Sequence, residues 1–378
     1  MEATRVDDIV VGGGILGLAT AWHLRRLGRS VRVLERGHRA QGASIRNFGM
    51  LWPVGQPPGE RLETALRSRA FWLEALAEAG IWHEPRGSLH AVYHPIEEQM
   101  LREFAAGADE RGYAVSLLTA EEAVARSPRL RTEGLRGGLF SATEVCVDPR
   151  LAVAGLTHYL QENGVDFWFQ TAATAVSDGI VEAGGLTHRA SQVWICTGDE
   201  VSGLFAPQIK ALGLVACKLQ MMRTAPLEGG ERIGPMLAAG LTLAHYGSFA
   251  HCPSLPALRA SLAERHPGYA ERGIHVMVSQ TPAGELTIGD SHEYGSVIDP
   301  FNKVEIDAMI LDYLDSYFDL RGTKVVSHWN GIYAKHPTEA WTVLHPEPTA
   351  HIITGVGGAG MTLSFGVTDR VVREVLGG

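Results

Sequence analysis

Three glycines and one acid near the start of the chain have the types and spacing to hold a dinucleotide. Gly12, Gly14 and Gly17 follow the apolar run Ile9, Val10, Val11, and Glu35 ends a second apolar run. A glycine at 12 permits a tight turn, one at 14 lets backbone approach a pyrophosphate, and one at 17 lets a helix lie close on a strand. The helix opening there offers free N–H groups and the positive end of its dipole to phosphate. Glu35 can accept both hydroxyls of an adenosine ribose and would repel a 2′-phosphate. This motif alone does not separate FAD from NAD. After the acid come Arg36 and the stretch GASIRNFGMLW at 42–52, where Gly42, Ser44, Arg46 and Asn47 supply donors for a diphosphate or a ring edge. Gly198 closes VWICTG, another point where the chain can turn beside a cofactor.

A second glycine cluster, ITGVGGAGMTLSFG, occupies 353–366. Gly355, Gly357, Gly358 and Gly360 leave a stretch of backbone with no Cβ in the way of a close approach. A helix starting near Met361 and Thr362 would open with free N–H groups.

The elements needed to position these residues are legible in outline. Strand, glycine turn, helix, strand and acid follow in order over 7–36, with Gly28 closing the helix. RLETALRSRAFWLEALAEAG reads as a helix, a strand turns into a helix at Pro95, and Thr119 with Glu122 forms a capping box. Pro149 and Gly164 bracket a further helix, and VDFWF and SQVWICTG are strand candidates. From Val215 onward LVACKLQMMRT, GLTLAHYGSF, GIHVMVSQTPAGELTIGDS and TKVVSHWNGIYAKHP alternate enough to predict strands. PSLPALRASLAERHPG and FNKVEIDAMILDYLDSYFDL read as helices between them.

Composition excludes several classes. The chain has 378 residues, enough for two domains, and a formal charge of −9 that leaves no basic footprint for nucleic acid. Cys146, Cys196, Cys217 and Cys252 show no short metal spacing and no disulfide framework, so no metal site is predicted. A polar N-terminus and the lack of any long apolar run point to a cytoplasmic protein without a membrane span. The oligomeric state is open.

Taken together these motifs resemble the D-amino-acid oxidase superfamily of FAD enzymes, which includes glycine and sarcosine oxidases and glycerol-3-phosphate dehydrogenase. The resemblance rests on VVGGGILGLATAWHL with Glu35, GASIRNFG, EVCVDPRLAVAGL, VWICTG, GELTIGDS and TGVGGAGMTLSFG, spread along the whole chain. It implies an α/β fold of two domains: a Rossmann-like FAD-binding domain from 1–85, 144–214 and 337–378, and a substrate domain on a largely antiparallel mixed sheet from 86–143 and 215–336. It implies that the terminal glycines and the helix start at Met361 and Thr362 run beside the flavin. Some relatives carry flavin on a cysteine ahead of a Met-Tyr pair. Gly331 stands at the comparable place, so FAD should be non-covalent. Relatives also place a lysine where this chain has Thr362, so their carboxylate clamp is absent or rebuilt. RNFGMLWP and GVGGAGMTLSFG resemble a bacterial subgroup associated with phosphonate degradation. That likeness implies an aminoalkylphosphonate or its N-methyl derivative as substrate, with Arg46, His245, Tyr246, Lys335 and His336 as candidate contacts.

The implied reaction is oxidation of a small amine, with the hydride leaving the carbon next to nitrogen and the imine hydrolysing. Oxygen is the expected electron acceptor. A neutral bound amine needs no strong protein base, and none is assigned. A hydroxy-acid or glycerol-phosphate dehydrogenase and a non-catalytic FAD-binding subunit are the rival readings.

Overall fold

The computed structural model describes residues 3–377; residues 1, 2 and 378, the outer ends of the expected FAD-binding segments, lie outside them. Strand β1 (Asp8–Val11) runs into helix α1 (Ile15–Arg26), which returns to strand β2 (Val31–Leu34). All four residues of β1 and of β2 are buried, the pattern of strands covered on both faces. Val10 faces a core that also holds Leu18, Trp22, Trp72, Leu156 and Phe365. Ile9 and Val11 face a second core with Val181, Ile195 and Ile352. Alternation along one strand therefore divides the two layers.

β1 is central in a six-stranded sheet, ordered Thr342–Glu347, Ala350–Thr354, Gln192–Ile195, β1, β2 and Asp166–Trp168. All pairs are parallel except the outer one between Thr342–Glu347 and Ala350–Thr354. The helices Glu60–Glu78, Pro149–Glu162 and Gly360–Leu376 pack with α1 on one face. A three-stranded antiparallel sheet, Ala173–Ser177, Ile180–Ala183 and Leu186–Arg189, covers the other.

The segments 86–143 and 215–336 contribute every strand of a nine-stranded sheet. Its spine is Val215–Pro226, which pairs antiparallel with Val325–Lys335 along nearly its whole length. Only the pair Met236–Ala238 with Ser88–Val92 is parallel. The fold is thus a two-domain α/β architecture with mixed sheets. In the capped helix Ala120–Arg126 both bonds of the Thr119–Glu122 capping box are made.

One expected strand is a helix. GLTLAHYGSF folds as the helix Gly240–His245 and a 3-10 turn, Gly247–Phe249. Its leucines alternate in sequence, but Gly240, Leu241, Thr242 and Leu243 are all buried. Enclosure on every side removes the contrast that periodicity depends on. The helix is held by tertiary bonds instead, Leu241 N donating to the Tyr313 hydroxyl at 2.9 Å. All four cysteines are buried and unpaired.

Candidate active site

The glycine turn after β1 is built by close backbone approach. Gly12 has φ +104°, and a Cβ there would come within 2.4 Å of Cys196 O. A Cβ at Gly17 would fall 1.9 Å from Gly12 O, so α1 can lie on β1 only without one. At Gly14 the nearest atom is Ser44 Oγ at 3.2 Å, and the space ahead is open. These three glycines do different work: two close the protein on itself, and the middle one faces a cavity.

That cavity has a volume of about 710 Å³ and runs from Glu35 to the terminal glycines. Gly12, Gly14, Glu35, Arg36, Ser44, Arg46, Asn47, Gly198, Gly357, Gly358, Gly360 and Met361 all line it. Gly17 lies behind the lining. Glu35 is buried, its Oε2 accepting from Gly13 N and its Oε1 from Gly37 N, both at 2.8 Å. The carboxylate therefore braces the loop that it borders. Ser44 Oγ accepts from Ile15 N at 2.9 Å at the mouth of α1. Asn47 donates to the carbonyls of Ala43 and Ser44 and accepts from Gly49 N, which fixes the GASIRNFG turn. Arg36 pairs with Glu200 at 3.3 Å. Gly42 and Gly198 would each carry a Cβ without meeting any atom within 4 Å, so both border open cavity. An elongated, glycine-cradled cavity with an acid at one end fits a flavin adenine dinucleotide.

At its far end the cavity meets a second chamber of about 250 Å³. Asn47, Leu219, Tyr333, Gly355, Gly357, Gly358 and Met361 line both. The chamber wall carries Tyr294 and Lys335 from strands of the nine-stranded sheet, His275, Asp290 and His292 from the segments flanking its strands, and His245 and Tyr246 from the end of the helix Gly240–His245. Of the expected substrate contacts, His245, Tyr246 and Lys335 are here. Arg46 is not: it lines the larger cavity, with Nη1 donating to Asn330 O at 3.2 Å. His336 lines neither space, because its Nδ1 accepts from Glu339 N at 3.0 Å and so closes the turn after the strand. Thr362 also differs from its expected place against the cofactor. It lines only the chamber, and its Oγ1 accepts from Trp52 N at 2.9 Å.

The chamber is electrostatically unusual. Burial pushes the imidazoles of His245 and His275 well below the usual histidine range, and His292 down to about 4. The same burial pushes the Asp290 carboxyl well above its usual value and the Tyr246 and Tyr333 phenols up. All three imidazoles are thus neutral at pH 7. His245 is exposed and lines the chamber, while His275 and His292 are buried. Sequence reasoning missed His275, Asp290, His292 and Tyr333. His275 and His292 sit in GIHVMV and GDSHEYG, where nothing in the spacing marks them; only the pairing of the strands brings them together.

Comparison with known proteins agrees with this geometry. A family model described as FAD dependent oxidoreductase matches residues 7–373. A glycine oxidase of Bacillus licheniformis is 26% identical over 225 residues, covering 56% of this chain and 58% of that one. The chain spans about half the length of the first curated relatives it matches. Among solved structures, glycine oxidase from Geobacillus kaustophilus superimposes with a TM-score of 0.77 at 20% identity, over 99% of this chain and 95% of that one. Iminodiacetate oxidase from Chelativorans sp. BNC1 gives 0.74 at 18% identity, over 98% and 95%. At such identities the superpositions speak for the fold.

Proposed function

From the premise that the chain belongs to the FAD-dependent oxidoreductase family, we propose that it oxidises a small primary or secondary amine bearing an anionic tail. The supporting observation is the shared wall: a molecule in the 250 Å³ chamber lies against Tyr333, Gly357, Gly358 and Met361, which also border the dinucleotide cavity. FAD, when bound, supplies the hydride acceptor for the carbon next to nitrogen and passes the electrons on, with oxygen as the proposed oxidant.

The chain's own residues bind, orient and shield. Gly14, Ser44 and the start of α1 take the pyrophosphate, and Glu35 takes the ribose. Gly355, Gly357 and Gly358 let backbone approach the ring end of the cavity. Trp52, Tyr246 and Met277 give the chamber apolar surface that limits water around the reacting carbon. Lys335, whose Nζ lies 5.1 Å from the Tyr294 ring centroid, supplies a cation for the tail. The imine product then hydrolyses to a carbonyl compound and an amine or ammonia.

For the tail we favour a phosphonate, as in 2-aminoethylphosphonate or its N-methyl form. The Thr362 hydroxyl is already engaged with Trp52 N, so the position used by a carboxylate-holding lysine in resembling proteins is taken up structurally. A carboxylate tail is the second reading, favoured by the likeness to glycine oxidase. Anaerobic stopped-flow bleaching of the flavin separates them. We expect either phosphonate to outpace glycine, sarcosine and D-alanine at equal concentration. Faster bleaching by sarcosine overturns the phosphonate tail and leaves amine oxidation standing; no bleaching by any amine overturns the function.

A further inference from the structure

We propose that His245, His275 and His292 form a site for one divalent transition-metal ion of the zinc class, with an open coordination position facing the chamber. One nitrogen from each ring can be chosen so that all three lie within 4.8 Å of one another. The surroundings of two of the rings say which nitrogen is free. His292 Nδ1 lies 3.0 Å from Gly273 O. A carbonyl only accepts, so Nδ1 carries the proton and Nε2 keeps its lone pair. His275 Nδ1 is buried without any partner, and His275 Nε2 lies 3.2 Å from Asp290 Oδ1, close enough for an ion pair but not hydrogen-bonded to it. His245 makes no hydrogen bond among the described residues.

A ring held through one nitrogen by a carbonyl or carboxylate, with the other nitrogen bare, is how protein histidines are prepared for a metal. Of the three rings His292 is held in this way; three imidazoles together suit zinc, copper, iron or nickel better than magnesium or calcium. The ion would also give the orphaned His275 Nδ1 a partner. The groups facing the cluster from other elements are Asp290, Lys335, Tyr294 and Tyr333. Lys335 opposes the ion and Asp290 favours it.

Zinc–nitrogen bonds of about 2.0–2.1 Å set tetrahedral donors roughly 3.4 Å apart, so the ligands must draw together. His245 is the ring that moves. It lies against His275, with centroids 3.7 Å apart and the rings tilted by 32°, and no hydrogen bond among the described residues holds it there. Three protein ligands leave a fourth position open. That position faces the chamber, where it would take an oxygen of the substrate's anionic tail. This last clause rests on the amine-oxidising reading; the metal site itself does not.

The test uses the FAD-loaded protein, cleared with a chelator and titrated with cobalt(II) or zinc(II) alone. We expect about one equivalent bound, with the intense visible bands of four-coordinate cobalt, displaced by zinc. His245→Ala, on the chamber surface, removes one of three ligands and should weaken binding at least ~100-fold. The flavin spectrum of each variant reports that it is folded. His345→Ala, at the distant His345–His351 pair, should change nothing. Absence of stoichiometric cobalt binding to the wild type, or undiminished binding in both His245→Ala and His275→Ala, overturns the site. Zinc should then lower the half-saturating concentration of an acid-tailed amine about tenfold or more while leaving ethylamine unaffected. An unchanged value for the acid-tailed amine overturns the tail contact. Failure of every amine to bleach the flavin overturns the oxidase reading alone, because metal uptake is read without substrate.

Discussion

Replacing Gly17 by alanine should cost stability, whereas replacing Gly14 should cost only cofactor affinity. At Gly17 the new Cβ would sit 1.9 Å from Gly12 O and 3.2 Å from Val10 Cγ1, so helix and strand must part by more than an ångström. Overpacking of this kind costs about 3 kcal/mol when backbone is the obstacle. Alanine's better helix propensity returns about 1 kcal/mol, leaving a net loss of roughly 2 kcal/mol. An unfolding entropy of ~2.1 cal/mol/K per residue gives this chain ~0.8 kcal/mol/K, so Tm of the FAD-free protein should fall by about 2–3 °C. At Gly14 the backbone is extended, φ −72° and ψ 178°, and the only neighbour is a hydroxyl at 3.2 Å. Alanine there makes a poorer N-cap, worth at most about 1 kcal/mol or ~1 °C. Its methyl group stands in the cavity, and FAD affinity should drop at least about tenfold, or ~1.4 kcal/mol. Differential scanning calorimetry of FAD-free protein and fluorescence titration with FAD give the two numbers separately. An FAD-free Tm for Gly17→Ala equal to wild type refutes the packing argument. Unchanged FAD affinity in Gly14→Ala refutes the placement of the pyrophosphate.

Glu35→Ala removes acceptors for Gly13 N and Gly37 N as well as for a ribose. It should weaken FAD binding by at least ~2 kcal/mol, since hydrogen bonds to a charged group contribute about 1.5–3 kcal/mol each; titration of the purified variant checks it. Thr362→Val keeps the shape but leaves Trp52 N buried and unpaired, costing about 1–3 kcal/mol of stability by denaturant unfolding. Acid should destabilise the fold through neutral buried histidines. His23 is held down to about 4 and His90 to about 3, chiefly by burial, so the unfolded chain takes up protons first. Their stability contribution is complete above pH 6.5 and is lost as pH falls towards 4, by roughly 3 kcal/mol for His23. Urea midpoints that stay level from pH 7 to pH 4.5 would contradict this. Acid precipitation should leave the flavin in the supernatant, as Gly331 has no side chain for a thioether; yellow colour in the pellet would show otherwise.

The nucleotide half was legible because its chemistry is local. A strand, three glycines, a helix and an acid lie within thirty residues, and each glycine has one steric reason to be there. The terminal glycines were legible for the same reason. The chamber was not. His275 and His292 are seventeen residues apart on either side of a hairpin, and His245 reaches them from a short helix whose burial on all sides disguised it as a strand. As expected substrate contacts, Arg46 and His336 are a similar case, for neither lines the chamber. Both stand beside the right segments, but a carbonyl holds one guanidinium and a turn consumes the other residue's ring nitrogen. Sequence proximity to a site does not say which way a side chain turns.

The dinucleotide cavity is drawn from opposite ends of the chain. Gly12 and Glu35 form one end, and Gly355 to Met361 form the other. The sheet beneath it is likewise closed only when Ala350–Thr354 pairs beside Gln192–Ile195. During synthesis the glycine turn at 12–17 is made first, yet it has no far wall until residues 355–361 have been translated. Flavin capture is therefore a late event in biogenesis. A nascent or truncated chain that stops before residue 355 would present a half-groove with little hold on the cofactor. Yellow colour in the isolated protein thereby certifies that synthesis and long-range assembly have both been completed.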